Sequence, residues 1–300
     1  MMVDSNKTIN GAIGLKYGAD VVASVAAGFK SNPKYKVAIN LLARDYIANY
    51  RTGILAHLTN EYARASIGFY ILYATFMADS HDGLNQKQVE DFCRKNRLMG
   101  RTRIRILLFA MEVADVIRTE TCVSDKRNKS IQPTQKLFAL AEKFYHPYLL
   151  ALSYLDDRGP FIAKFSRDGL LQKSIIFMHD HFVQHGQYVD RKPLFKIFTS
   201  RMGGMAIALK LLLLKRAAQD ESGEKTINFN YGQISKSLNV SRGHIRDLVN
   251  AAQRAGLINS ADAGGNQVDV NDTFVDLVEG YFCLNLALVW CSVVGHEKTA

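Results

Sequence analysis

Along most of the chain the apolar positions recur at helical spacing. From Tyr35 onward Val37, Leu41, Leu42, Tyr46 and Ile47 fall on one face, and 54–77 carry a second long apolar-periodic run. That run ends in the polar turn Ser80-His81-Asp82-Gly83. Residues 1–34 show no sustained periodicity and are expected to form a loosely ordered arm. Short helices follow the turn, and 118–134 reads as a hairpin. Its parts are Thr119-Glu120-Thr121-Cys122-Val123, a charged tip at Asp125-Lys126-Arg127-Asn128-Lys129, and Ser130-Ile131-Gln132. A helical pattern resumes over 134–155, interrupted at Pro147.

Asp156-Asp157-Arg158-Gly159-Pro160 is the strongest break and lies near the midpoint. After it the layout repeats. Helical runs at 161–184 and 194–218 lead to a polar break at 219–225, short helices, a second hairpin-like stretch over 257–270 and a closing helix over 273–294. Ile245, Leu248, Val249, Ala252, Ala255, Leu257 and Ile258 each have an apolar counterpart 141 positions earlier, in Ile104, Leu107, Leu108, Met111, Ala114, Val116 and Ile117. With the shared order of elements, this predicts an internal duplication: a first module over 35–157 and a second over 158–300.

The sharpest local pattern is Tyr231-Gly232-Gln233-Ile234-Ser235-Lys236-Ser237-Leu238-Asn239-Val240-Ser241-Arg242-Gly243-His244-Ile245-Arg246-Asp247-Leu248. Ile234 and Leu238 share one face of a short helix, and Asn239 tolerates the left-handed conformation at a helix end. Val240 is an apolar plug in the turn, Ser241 a good N-cap, and Ile245, Leu248, Val249 and Ala252 a buried stripe on the next helix. Two short helices locked across a tight turn make a helix-turn-helix with the second helix free on its outer face.

This segment resembles the winged helix-turn-helix regulators of bacteria, the MarR-like group in particular. The likeness runs from Ile234 through Leu238, Val240-Ser241 and Ile245 to Ala255-Gly256-Leu257-Ile258, the last three being typical of the passage from reading helix to first wing strand. The resemblance implies that the outer face of 241–254, with Arg242, Gly243, Arg246, Asp247, Asn250 and Gln253, enters the major groove of double-stranded DNA. Arginine there can grip guanine, and Asn or Gln adenine, through paired hydrogen bonds. Ser241 and His244 stand at the helix start, where phosphate is favoured.

The first half departs from that pattern. Arg94, Lys95, Arg97, Arg101, Arg103 and Arg105 form a dense basic run without an acid. Its counterpart helix, however, carries Ile106 and Phe109 where the second half has Asp247 and Asn250. A helix apolar nearly all round is expected to be buried. The first module is therefore expected to grip phosphates, through Arg101, Arg103 and Arg105 and the wing-tip residues Lys126, Arg127 and Lys129, while the second reads bases. The second tip, Asp262-Ala263-Gly264-Gly265-Asn266, lacks positive charge.

Composition narrows the class. The chain has 300 residues, 48% of them hydrophobic and 22% charged, and a net charge of +10, which points to an acidic partner. Residues 94–129 hold ten basic against four acidic side chains, so the surplus is concentrated beside one helix and its hairpin. The cysteines, Cys93, Cys122, Cys283 and Cys291, form no CxxC pair and suit a reducing cytosol. The apolar run at 21–27 lacks the start of a secretory signal, and 281–295 falls short of a bilayer span. A buried terminal helix, no membrane partner and a cytoplasmic, bacterial protein are expected.

His179, His181 and His185 cluster on one helix, with His181 and His185 one turn apart, but no Glu of an HExxH site accompanies them. Structural histidines at a helix surface or a partner interface suit them better than a metal, and a pH-sensitive interface is a further reading that the sequence does not rank. No phosphate loop, nucleophile elbow or dinucleotide fingerprint occurs, so neither an enzyme nor a cofactor is predicted. The expected protein is mainly α, two tandem winged-helix modules with long flanking helices, acting as a DNA-binding transcription regulator. It would be a monomer with pseudo-dimeric halves or a homodimer, and docking of a small-molecule effector between the flanking helices is left open. The alternatives are a plasmid-type replication initiator and an interaction scaffold that kept the fold without binding DNA.

Overall fold

The computed structural model describes residues 18–50, 61–78, 84–121, 129–167, 169–185, 192–221, 226–264 and 266–294. It is mainly helical, with thirteen α-helices and two small antiparallel sheets among those residues. The chain packs as two compact units that do not follow its sequential halves. One comprises Met1–Ala38, Ser66–Gln187 and Cys283–Ala300, the other Ile39–Ala65 and Tyr188–Phe282.

In the first unit, helix α1 (Ala19–Ser31) lies inside the stretch expected to be a loose arm. It is tied down over a long sequence distance: Phe29 meets Trp290 edge to face at 6.3 Å, and the Cys283 thiol donates to the Ala26 carbonyl at 3.2 Å. Helix α2 (Tyr35–Tyr50) follows and, from Ile39 on, belongs to the second unit. It buries Ala38, Ile39, Leu42, Ala43 and Ile47, so its inner face is turned from the expected one and Val37 stands 45% exposed. Helix α3 (Tyr62–Met77) holds the described part of the second apolar run, and the rest of that run and the turn at 80–83 lie outside the described residues.

The first helix-helix-hairpin stretch consists of β1 (Leu84–Asn85), α4 (Gln86–Lys95), α5 (Arg101–Val113), β2 (Ile117–Thr121) and β3 (Lys129–Pro133). Helix α6 (Gln135–Leu155) continues past Pro147, where an interruption is expected from the sequence. Proline removes one helical hydrogen bond, but Tyr145, Tyr148, Leu149 and Leu152 are buried on either side and hold the helix. The next expected helix divides at Gly169, whose φ of +62° ends α7 (Phe161–Arg167) and lets α8 (Leu170–His185) begin.

In the second unit the run over 194–218 is likewise divided. A 3-10 turn (Pro193–Phe195) and α9 (Lys196–Thr199) precede α10 (Gly204–Glu221). Gly203 and Gly204 form the break between α9 and α10 rather than sitting inside one helix. At Gly204 a Cβ would stand 1.9 Å from the Phe198 carbonyl oxygen; at Gly203, with φ +71°, it would stand 2.6 Å from Tyr50 Oη. The second helix-helix-hairpin stretch follows: β4 (Thr226–Ile227), α11 (Tyr231–Leu238), α12 (Arg242–Arg254), β5 (Ile258–Ala261) and β6 (Val268–Val270). Helix α13 (Asp272–Val294) closes the chain. By length and composition it could cross a membrane, yet 78% of its apolar window is buried in the protein. It contributes Phe274 and Tyr281 to the second unit, against Phe198 and Phe195, and Trp290 and Ser292 to the first.

The two stretches are built alike. Their sheets have the same order, β1-β3-β2 and β4-β6-β5. Helices α5 and α12 are both 13 residues long and lie 141 positions apart. At their ends Asp115 (φ 54°) and Gly256 (φ 72°) are both left-handed. Val116 N–H donates to the Met111 carbonyl, and Leu257 N–H to the Ala252 carbonyl, in the same register.

Candidate nucleic-acid interface

Local chemistry fixes the second helix pair. The Asn230 side chain caps α11 by accepting from Gln233 N–H at 3.0 Å. Asn239, at φ 51°, turns the chain out of the helix, and the buried Val240 donates its N–H to the Ser235 carbonyl at 3.2 Å. Ser235 Oγ donates to the Val240 carbonyl at 2.7 Å, closing the turn from the other side. Ser241 Oγ then caps α12 by accepting from His244 N–H. Ile245, Leu248, Val249 and Ala252 are wholly buried, which commits the opposite face of α12 to solvent.

On that face Arg242, Arg246, Asp247 and Gln253 are exposed and Asn250 is half-buried. No described carboxylate lies within ion-pair distance of the Arg242 or Arg246 guanidinium. Two residues expected at a phosphate are engaged in holding the turn. Ser241 is the cap, and His244 Nε2 lies 2.8 Å from the Met202 carbonyl oxygen, which ties α12 to the Gly203 break.

Sequence reading did not foresee a cleft of about 440 Å³ beside this face. It lies between the starts of α11 and α12 and the β5–β6 tip, and is lined by Asn230, Gly232, Arg242, Arg246, Gly264 and Asn266. The tip is locked onto α11: Tyr231 N–H donates to the Gly264 carbonyl at 3.1 Å, and Asn230 Nδ2 to Asn266 Oδ1 at 3.3 Å. Burial pushes the Tyr231 phenol above its ordinary pKa, reinforced by Asp262 and opposed by Arg246. The available signal was a tip without positive charge over 262–266, which leaves it free of repulsion toward Arg242 and Arg246.

In the first stretch Asn85 and Gln88 form a reciprocal capping box at α4. Arg97, at φ 52°, makes the turn, and Ile104, Leu107, Leu108 and Met111 form the buried stripe of α5. Arg101, Arg103 and Arg105 are exposed, as is Lys129 at the start of β3, whereas Lys126 and Arg127 lie outside the described residues. The basic run is not free of acid in space. Glu90 Oε2 takes Arg101 Nε at 2.8 Å, and Oε1 takes Arg105 Nε at 3.2 Å. Its carboxyl is held below the usual range, first by a hydrogen bond from Gln86 and then by these two arginines against the cost of burial. The expectation that α5 is buried all round is also corrected: Ile106, Phe109 and Val113 are 63%, 67% and 71% exposed. They recur on the face away from the stripe, and no described element covers them.

The histidine cluster is built into aromatic packing. His179 stacks on Tyr73 at 3.5 Å, beside Tyr70, which lies flat on Phe92 of α4 at 3.9 Å. His181 is buried and His185 lies 4.7 Å from it, ring to ring. Among the described residues no group of three His, Cys, Asp or Glu side chains is placed to hold a metal ion. Burial pushes the Cys93 and Cys291 thiols up to about 12, which leaves them protonated and inert at neutral pH. Cys122 lies outside the described residues. No protein-family model, curated protein or solved structure matches the chain, so its function has to be read from the site itself.

Proposed function

We propose that the two helix-helix-hairpin stretches are winged helix-turn-helix modules descended from one by duplication, and that the chain is a regulator binding double-stranded DNA. Base reading is assigned to α12. The observation that carries this is its outer face: Asn250 and Gln253 follow Arg242 and Arg246 along a capped, amphipathic helix, with no described carboxylate paired to those arginines. The Asn250 and Gln253 amides each carry the paired donor and acceptor that grip an adenine edge. The first module is assigned a sequence-independent role. Ile106 and Phe109 replace polar readers there, and Arg97, Arg103 and Lys129 are exposed cations suited to phosphates.

Selection of duplexes from a random pool, followed by footprinting at two salt concentrations, tests the reading. A recurrent protected sequence whose affinity falls steeply with salt is expected. Arg103→Ala should weaken selected and random duplexes alike. Absence of salt-dependent duplex binding would end the proposal.

A further inference from the structure

We propose that the cleft between α11, α12 and the β5–β6 tip is a phosphate-binding site, in which the Arg242 and Arg246 guanidinia hold one phosphate group. The first module displays the geometry with an internal anion in place. Arg242 and Arg246 stand 141 positions after Arg101 and Arg105, at the same places on helices of equal length. In the first module both of those guanidinia close on one carboxylate, Glu90, each on a different oxygen. A pair of arginines one helical turn apart is mutually repulsive, and a shared anion removes the repulsion.

The second module keeps the arginines and lacks the acid. Its first helix aligns with α4 through the asparagine caps Asn85 and Asn230 and the buried pairs Val89 with Ile234 and Cys93 with Leu238. By that register Ser235 replaces Glu90, and Ser235 spends its hydroxyl on the Val240 carbonyl. With no carboxylate closing on them, Arg242 and Arg246 line the open cleft instead, whose volume suits a phosphate carrying a sugar.

Three features prepare the cleft for an anion. Gly232 leaves room for Arg242: a Cβ there would meet its guanidinium at 3.0 to 3.2 Å. Gly264 and Asn266 are tied to the start of α11 by the Tyr231–Gly264 and Asn230–Asn266 hydrogen bonds. The nearest acid of the tip, Asp262, is occupied within it, accepting from Asn266 N–H at 2.7 Å. The phosphate comes either from a free phosphomonoester or from a nucleic-acid backbone. Only the backbone source rests on the DNA-binding reading.

The test uses the full chain and four variants, titrated calorimetrically with ribose 5-phosphate, with ribose, and with duplex DNA. Ser235→Glu restores the first module's internal anion, and Ser235→Gln removes the same hydroxyl without adding charge. Arg242→Ala and Gly232→Leu respectively delete and displace one guanidinium. The site predicts at least tenfold weaker binding of the phosphate-bearing partner in Ser235→Glu, Arg242→Ala and Gly232→Leu, with Ser235→Gln close to wild type. Saturable ribose 5-phosphate binding, at least tenfold over ribose, marks a free ligand; the same variant pattern on duplex alone marks a backbone phosphate. The proposal is overturned if ribose 5-phosphate does not bind and the duplex affinity of Ser235→Glu equals that of Ser235→Gln. Wild-type duplex binding in that case leaves the regulator reading standing, whereas ribose 5-phosphate binding without duplex binding removes the regulator reading alone.

Discussion

Gly204 sits where no side chain fits, because its Cβ would lie inside the Phe198 carbonyl, and that contact places α9 against α10. The adjoining Met202 carbonyl holds the His244 ring, so the glycine pair also positions the start of α12. Forcing a methyl into a packed backbone contact costs about 3 kcal/mol. Gly204→Ala should therefore lower the urea midpoint markedly, and with it any activity that depends on α12. Phe109→Ser gives the opposite expectation. At 67% exposure this ring contributes little to folding, and its replacement should change stability by under about 0.5 kcal/mol. A loss of several kcal/mol on Phe109→Ser would show that α5 is covered in the folded chain.

At the scale of elements, the turn joining α6 to α7 anchors the end of α13. Asp156 accepts from Trp290 Nε1 at 2.7 Å and from Arg158, whose guanidinium also lies 4.8 Å from the centre of the indole ring. Partial burial would raise the Asp156 carboxyl, but the hydrogen bonds from Arg158 and Trp290 outweigh it and hold the pKa below the usual value. A carboxyl lowered on folding contributes stability above the ordinary aspartate range, about pH 4, and that stability is lost as pH falls through the lowered value. Trp290 is the only tryptophan in the chain, so its emission reports this turn directly. Acidification should produce an emission step that Asp156→Asn lacks; an identical step in both would show that Asp156 does not govern the anchor.

The same scale explains what could be read from sequence. The second helix pair is legible because its caps, its left-handed Asn239 and its buried stripe are all local signals, and the β2–β3 and β5–β6 strands fall in the two stretches read as hairpins. Helix α1 was not, because the Trp290 ring that holds Phe29 comes from the other end of the chain. The Glu90 bridge was missed for a smaller reason. A window over 94–105 excludes the acid on the preceding helix, although the fold brings it onto Arg101 and Arg105. The cleft needed three separated segments to meet, which periodicity cannot show.

For the whole molecule, the +10 balance resolves into cations of different availability. Arg101 and Arg105 share Glu90, Arg118 and Lys136 share Asp115, and Arg216 is closed by Glu279. Arg242 and Arg246 have no such described partner, so the charge open to an anionic ligand is greater on the second module than a residue count suggests. The first helix pair closes two arginines on its own carboxylate, and the second leaves the matching pair without a described acid. The most direct measurement is the ratio of affinities for a selected and a random duplex, taken by fluorescence anisotropy for the wild type and Gln253→Ala at one salt concentration. Gln253→Ala should lower this ratio by about tenfold or more, the cost of one lost bidentate base contact. An unchanged ratio, or equal loss on both duplexes, would contradict base reading by α12.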